Sequence, residues 1–238
     1  MDKTQIADRM KDNYEKRART YLTRRTPVIC RLDGKCFHSI TKGMDRPFDE
    51  NLNAMMRATT IKLCEEIQGA KCAYMQSDEI SILITDYDKL TTDAWFDYGI
   101  QKMCSVSASI ATAEFNHYYS SIYNSSKTAY FDSRVFNIPR EEVNNYFVWR
   151  SMDWKRNSIQ LAGQSVFSHS KMHKKNTNDI KQMLWDEHQI TWEDYKDKWK
   201  NGNFCVKTEN GWEFLNEAPI FSKEPNVIDN LVNCDMEE

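Results

Sequence analysis

The chain is poor in the residues that loosen a backbone: its 238 residues include seven glycines and five prolines. That scarcity argues against long flexible linkers, collagen-like repeats and turn-rich all-β designs, and predicts many helices. Excess positive charge is missing too. Lys and Arg total 32 against 35 Asp and Glu, a formal net charge of −3, so any contact with nucleic acid or phosphate must come from local basic patches or metal ions. No window reaches the roughly 18 apolar residues that span a bilayer, and the opening MDKTQIADRMKDNYEKR has no apolar signal core. A cytoplasmic protein, neither secreted nor membrane-embedded, is expected. Close Cys-x-x-Cys pairs are absent, and His169 and His173, four apart, have no cysteine or carboxylate beside them of zinc-site type, which argues against a structural zinc. The seven cysteines, at 30, 36, 64, 72, 104, 205 and 234, are odd in number and mostly embedded in apolar runs, the pattern of reduced thiols.

What remains is material for one large domain, or one domain with an appendage: 40% of the residues are hydrophobic, enough for a core. Residues 4 to 21 read as a polar helix with Ile6, Met10 and Tyr14 on one face, packing onto the main domain. Val28 to Leu32 is a short apolar, β-branched run that stops at Asp33-Gly34, a first strand. Asp49 is placed as an N-cap ahead of Leu52, Met55, Met56, Leu63 and Ile67, and Gly69 as the C-cap. Ala73 to Gln76 and Ile80 to Ile84, joined through Ser77-Asp78-Glu79, form a hairpin. Phe96, Ile100, Met103, Ile110 and Ala113 mark a second amphipathic helix from about Asp93 to Tyr123. A fourth strand runs from Ala129 to Ile138, and helix returns from Arg140 through about Phe167.

The order βαββαβ predicts an α+β, ferredoxin-like domain over 1–167, with both helices on one face and strands one and three adjacent at the centre. Residues 168–238 read as an appended helical and loop subdomain, with a helix signal at Thr191-x-x-Asp194 and aromatic-rich loops around Trp199, Phe204 and Trp212. If strands one and three run antiparallel, the end of the first lies against the start of the third, and Asp33 faces Asp78 and Glu79. Carboxylates on adjacent strand ends are what a magnesium pair needs, because hard cations take oxygen ligands at fixed positions. Alternation sends Glu79 toward the other face, so it is a weaker ligand than Asp78. Spacing alone favours the plainer reading, a turn at Asp33-Gly34 and a hairpin tip at Ser77-Asp78-Glu79.

The runs RLDGKCFHSITKGMDRPFDENL and AYMQSDEIS, with DRMKDNYE before them and FDSRVF and WRSMDWKRNS after, together resemble the tRNA-histidine guanylyltransferase family. They are most like its bacterial and archaeal like-protein branch, template-dependent polymerases that extend RNA 3'-to-5'. The resemblance implies a polymerase-palm fold and two magnesium ions, with ATP and GTP as substrates and tRNA as partner, in a homotetramer. It implies that Asp33, Asp78 and the backbone of Gly34 bind metal, with Glu79 beside them among the catalytic acids. It further implies that Lys35, Cys36, Phe37 and His38 cradle a triphosphate through backbone amides and the imidazole, a nest suited to an anion. Arg46 falls where the family has a lysine near the nucleotide. Ser77 matches a motif hydroxyl, which also fits a turn-stabilising role.

One departure bears on specificity. Where the guanylyltransferases read His-Ile-Asn-Asn, this chain reads Lys155-Arg156-Asn157-Ser158, keeping Asn157 as a nucleotide-site residue. Lys155 and Arg156, and the cluster Lys171, His173, Lys174 and Lys175, are candidate RNA contacts that would hold phosphate without reading bases; a solvated surface fits them too. The activity expected is template-dependent addition to the 5' end of truncated tRNA. Its rivals are addition specific to histidine tRNA, a palm-domain nucleotide cyclase, and a non-catalytic RNA-binding module.

Overall fold

The structure, a computed structural model, describes residues 3–233, so Cys234 lies outside the described residues. α1 (Lys3–Met10) runs on through a π-turn at Lys11–Glu15 and a 3-10 turn at Lys16–Ala18. The expected packing of this segment is not found: Ile6, Met10 and Tyr14 all remain exposed. Next come β1 (Val28–Gly34), α2 (Glu50–Glu66), β2 (Ala70–Gln76), β3 (Glu79–Ile84), α3 (Ile100–Tyr123), β4 (Phe131–Asn137) and α4 (Arg140–Gln164). That is the βαββαβ order. α2 starts where expected because the Asp49 carboxylate accepts the Leu52 N–H at 2.8 Å. α3 starts later than its periodicity suggests, because Phe96, Asp97 and Tyr98 adopt left-handed φ values that break the helix before Ile100.

α5 (His169–Met172), α6 (Thr177–His188), α7 (Asp197–Lys200), β5 (Asn203–Thr208), β6 (Gly211–Phe214) and α8 (Asn226–Val232) follow. Here the structure departs most from the sequence reading. Thr191 makes no side-chain cap and precedes only a three-residue 3-10 turn, held where the buried Trp192 donates its indole N–H to the Ser158 hydroxyl at 3.2 Å. The capping box belongs instead to Asn176 and Asp179, ahead of the apolar Ile180 and Leu184 of α6. Residues around Phe204 and Trp212 are not loops. They form β5 and β6, which extend the N-terminal sheet, so the two parts of the chain share one sheet in the order β4-β1-β3-β2-β5-β6, antiparallel throughout.

Strand alternation splits the core between the two faces of that sheet. Val28, Cys30, Leu32, Ile80 and Ile82 face α2 and α3, which contribute Met55, Met56, Leu63 and Phe115. Ile29, Leu83, Cys72 and Tyr74 face Val143 and Phe147 of α4 and Ile228 of α8. Each fully buried Leu, Ile or Phe contributes about 1.5–3 kcal/mol of transfer free energy. Both central strands are therefore clamped from two sides, and their shared end is held rigidly. No helix among the described residues is long and apolar enough to cross a membrane.

Candidate active site

The clamped end is where the carboxylates sit. Asp33 pairs across the ladder with Glu79, and the Gly34 N–H donates to the Asp78 carbonyl at 3.1 Å, which ties the strand end to the hairpin tip. Ser77 turns the hairpin with a φ of 48°. Burial pushes the Asp78 carboxyl up to about 6, with the charges of Asp33 and Glu79 adding to it against opposing hydrogen bonds from the backbone and Ser77. Burial, followed by the charge of Glu79, also raises Asp33, which Arg31 partly offsets. Two carboxylates forced together in a partly dry site are stabilised by a cation.

Glu79 is placed differently. Arg150 donates from Nε to Oε1 and from Nη2 to Oε2, both at 2.7 Å, while Arg31 reaches Oε2 and the Gln76 amide reaches Oε1 at 3.2 Å. Its lone pairs are occupied by guanidinium N–H groups, so it supports the site from below rather than facing a ligand. No group of three His, Cys, Asp or Glu able to hold a metal occurs among the described residues. The oxygens of Asp33 and Asp78 still fit magnesium, which is commonly held by one or two carboxylates plus substrate phosphate and water.

After β1 the chain turns through a left-handed Cys36, φ 54°, into a 3-10 turn at Phe37–Ser39. The N–H of Lys35 is taken by the Tyr130 carbonyl at 2.8 Å, whereas those of Cys36, Phe37 and His38 have no partner among the described residues. A left-handed residue followed by right-handed ones aims successive N–H groups at one point, an anion nest. Phe37 itself points inward: its ring packs on Phe115 at 5.2 Å and Phe131 at 5.1 Å, so it contributes its backbone only. A Cβ on Gly34 would lie 2.2 Å from that ring, which is why the strand must end on glycine.

His38, Arg46 and Ser77 line a cleft of about 340 Å³ bounded by the 38–49 loop, α4 and α7. Sequence reasoning missed its aromatic wall. Phe48 stacks on Trp199 with centroids 5.0 Å apart and planes 3° from parallel, and Trp154 closes one side at 6.3 Å. Lys42 and Lys198 add positive charge to the lining, Lys198 being paired with Glu50. The available signal was a short run of charges ending on an aromatic, Lys196-Asp197-Lys198-Trp199.

The remaining candidates lie elsewhere. Asn157 is exposed on α4, its amide 3.4 Å from Asp153, and does not line this cleft. Arg156 pairs with Asp153, and the Lys155 ammonium stands 5.7 Å from the Trp192 ring. Lys171 pairs with Glu187, and Lys174 and Lys175 are exposed beyond α5.

Residues 7–139 match the family model described as tRNAHis guanylyltransferase. The structure of a bacterial tRNA(His) guanylyltransferase-like protein in complex with ATP superposes with a TM-score of 0.93 at 43% identity, covering 97% of this chain and 100% of that one. The structure of a bacterial tRNA(His) guanylyltransferase-like protein in complex with GTP gives a TM-score of 0.83 at 41% identity, over 96% of this chain and 99% of that one. An uncharacterized protein of Acanthamoeba polyphaga mimivirus is 27% identical over 211 residues, 79% of this chain and 72% of its own length.

Proposed function

The chain belongs to the tRNAHis guanylyltransferase family, and from that premise we propose that it adds nucleotides 3'-to-5', under template direction, to the 5' end of truncated tRNA. It is a nucleotidyltransferase that uses ATP and GTP. The observation that carries the reading is the adjacency of three parts: an acidic pair, a nest of free N–H groups three to five residues after Asp33, and an aromatic cleft lined by Ser77 and His38.

A 5'-monophosphate oxygen of the RNA attacks the α-phosphorus of ATP; the bond to the β-phosphate breaks, pyrophosphate leaves, and the RNA end is adenylylated. The 3'-hydroxyl of the incoming nucleotide, commonly GTP, then attacks the RNA phosphorus, and AMP leaves. Asp33 and Asp78 would hold two magnesium ions, which lower the pKa of an attacking hydroxyl and offset charge on the leaving oxygen. The N–H groups of Cys36, Phe37 and His38 hold the phosphate tail, and Arg46 and Lys42 offset its charge. Phe48 and Trp199 orient the base. No side chain acts as a nucleophile, so positioning and charge stabilisation make up the protein's part.

The six described cysteines are free, which supports a cytoplasmic setting. A homotetramer would cover the exposed Ile6, Met10 and Tyr14. Incubation with magnesium, ATP, GTP and 5'-truncated tRNAs tests the function: template-matched 5' extension is expected, and its absence with every tRNA tried overturns the reading.

A further inference from the structure

The reaction proposed above brings two bodies to one phosphorus, so a nucleotide and an RNA end must reach the acidic pair together. The aromatic cleft suits the nucleotide. A second cleft, of about 540 Å³, lies between α4 and α6. Trp154, Leu161 and Gln164 of α4 line the first cleft, while Trp149, Met152 and Arg156 of the same helix line the second. The helix is the wall between them.

Chemistry and position both indicate what the second cleft accepts. Lys155, Arg156 and Lys181 line it against one carboxylate, Asp153, on a chain whose net charge is −3. Arg156 and Lys181 pair with Asp153 and Glu193, one partner of each pair being largely exposed, and pairs open to solvent are weak enough to exchange for a phosphate. Trp149 is 53% exposed, a large fraction for a tryptophan, yet its ring is fixed. The Arg150 guanidinium lies 4.5 Å from its centroid, that of Arg31 lies at 5.9 Å, and Tyr146 packs edge-on at 5.8 Å. Arg31 precedes Asp33 by two residues on the same face of β1, and Arg31 and Arg150 both bind Glu79, the neighbour of Asp78. Trp149 therefore stands at the end of the cleft nearest the acidic pair.

We propose that the second cleft receives the RNA, with Trp149 stacking on the base at its 5' end and Lys155, Arg156 and Lys181 holding the backbone behind it. The inference rests on the RNA-extending function proposed above. An aromatic plane accepts any base, because every base has a π face. Cations on phosphate set position without reading sequence. The cleft would thus present the end of any acceptor stem to the nucleotide on the far side of α4.

The test uses a 5'-truncated tRNA carrying 2-aminopurine as its first base, with the whole chain. Binding to wild type should quench the fluorophore. Trp149→Ala should remove most of the quench and raise the KM for RNA about tenfold with the KM for ATP and the melting temperature unchanged, and Trp149→Phe should fall between. Joint Lys155→Glu and Arg156→Glu should weaken RNA binding and flatten its salt dependence. An unchanged quench and RNA KM in Trp149→Ala overturn the proposal, as does an equal loss of ATP binding, which would mark a role in the fold. So does a shift in oligomeric mass with RNA affinity intact, the result expected if a second copy covers the cleft. The quench needs no turnover: if wild type quenches but adds no nucleotide, the proposed function fails and the cleft stands. If wild type neither quenches nor adds, both fail.

Discussion

Arg150 grips Glu79 through both carboxylate oxygens, at 2.7 Å each, one residue along the chain from Asp78. Both side chains are almost wholly buried. A guanidinium fork on a carboxylate in a dry setting has one geometry, and here it fixes the start of β3 from beneath, so the hairpin tip that carries Asp78 is set by an interaction on the opposite side of the strand from solvent.

Breaking that pair should therefore cost stability before it costs chemistry. Arg150→Met leaves a buried carboxylate half satisfied, and urea denaturation should show a loss of about 3–5 kcal/mol. The double variant with Glu79→Gln should lose less than the sum of the single changes, because neither charge is then stranded. Additive losses would show that the two side chains are not coupled.

Asp33→Asn and Asp78→Asn should each abolish nucleotide addition, a loss of several kcal/mol of transition-state stabilisation. Without magnesium, Asp78→Asn should also melt higher than wild type, since it removes a buried charge and, with it, the like-charge contact with Asp33. The sign of the pH dependence follows from the raised carboxyl. A folded value of about 6 means that wild type takes up a proton on folding, so the penalty is full above about 6 and fades as pH falls toward the ordinary carboxylate range. Melting curves in chelator should show the gap between variant and wild type closing over that window.

The stacked wall of the nucleotide cleft gives a separate expectation. Phe48→Ala or Trp199→Ala should raise the dissociation constant for ATP by about 5- to 150-fold, the range of a lost base–aromatic stack of about 1–3 kcal/mol. Calorimetric titration measures it. RNA affinity should hold, because neither ring lines the second cleft.

Selection of the added nucleotide should follow the opposing base. With Lys155-Arg156-Asn157-Ser158 where the guanylyltransferases read His-Ile-Asn-Asn, several 5'-truncated tRNAs should be repaired in preference to untemplated addition of one G to histidine tRNA. Changing the template base and sequencing the product decides between the two.

The palm was legible because β1 and β3 are compact apolar runs, buried along most of their length, that stop and start at the acidic turns Asp33-Gly34 and Ser77-Asp78. Antiparallel neighbours put Asp33 opposite Glu79 on paper, and the ladder has that register. Local patterns failed where two segments fit one motif. Thr191-x-x-Asp194 and Asn176-x-x-Asp179 are equivalent as strings, and only the apolar Ile180 and Leu184 after the second decide which starts a helix. β5 and β6 are hard to read from sequence because they are short, and β5 is sustained by pairing with β2, and β6 by pairing with β5, rather than by alternation within them. Trp199 was illegible as a cleft wall because its stacking partner, Phe48, is far away in the chain.

Phe37 anchors the loop proposed to hold phosphate in the same aromatic cluster as Phe115 and Phe131. Rearranging the loop would require pulling a core ring into water, so its opening free energy is tied to that of the surrounding core rather than to the small values of surface segments. The nest is preorganised: its shape is already settled before an anion arrives, and binding loses nothing to ordering it. Turnover is then expected to wait on the arrival and departure of substrates rather than on closure of this loop, whose core ring resists displacement.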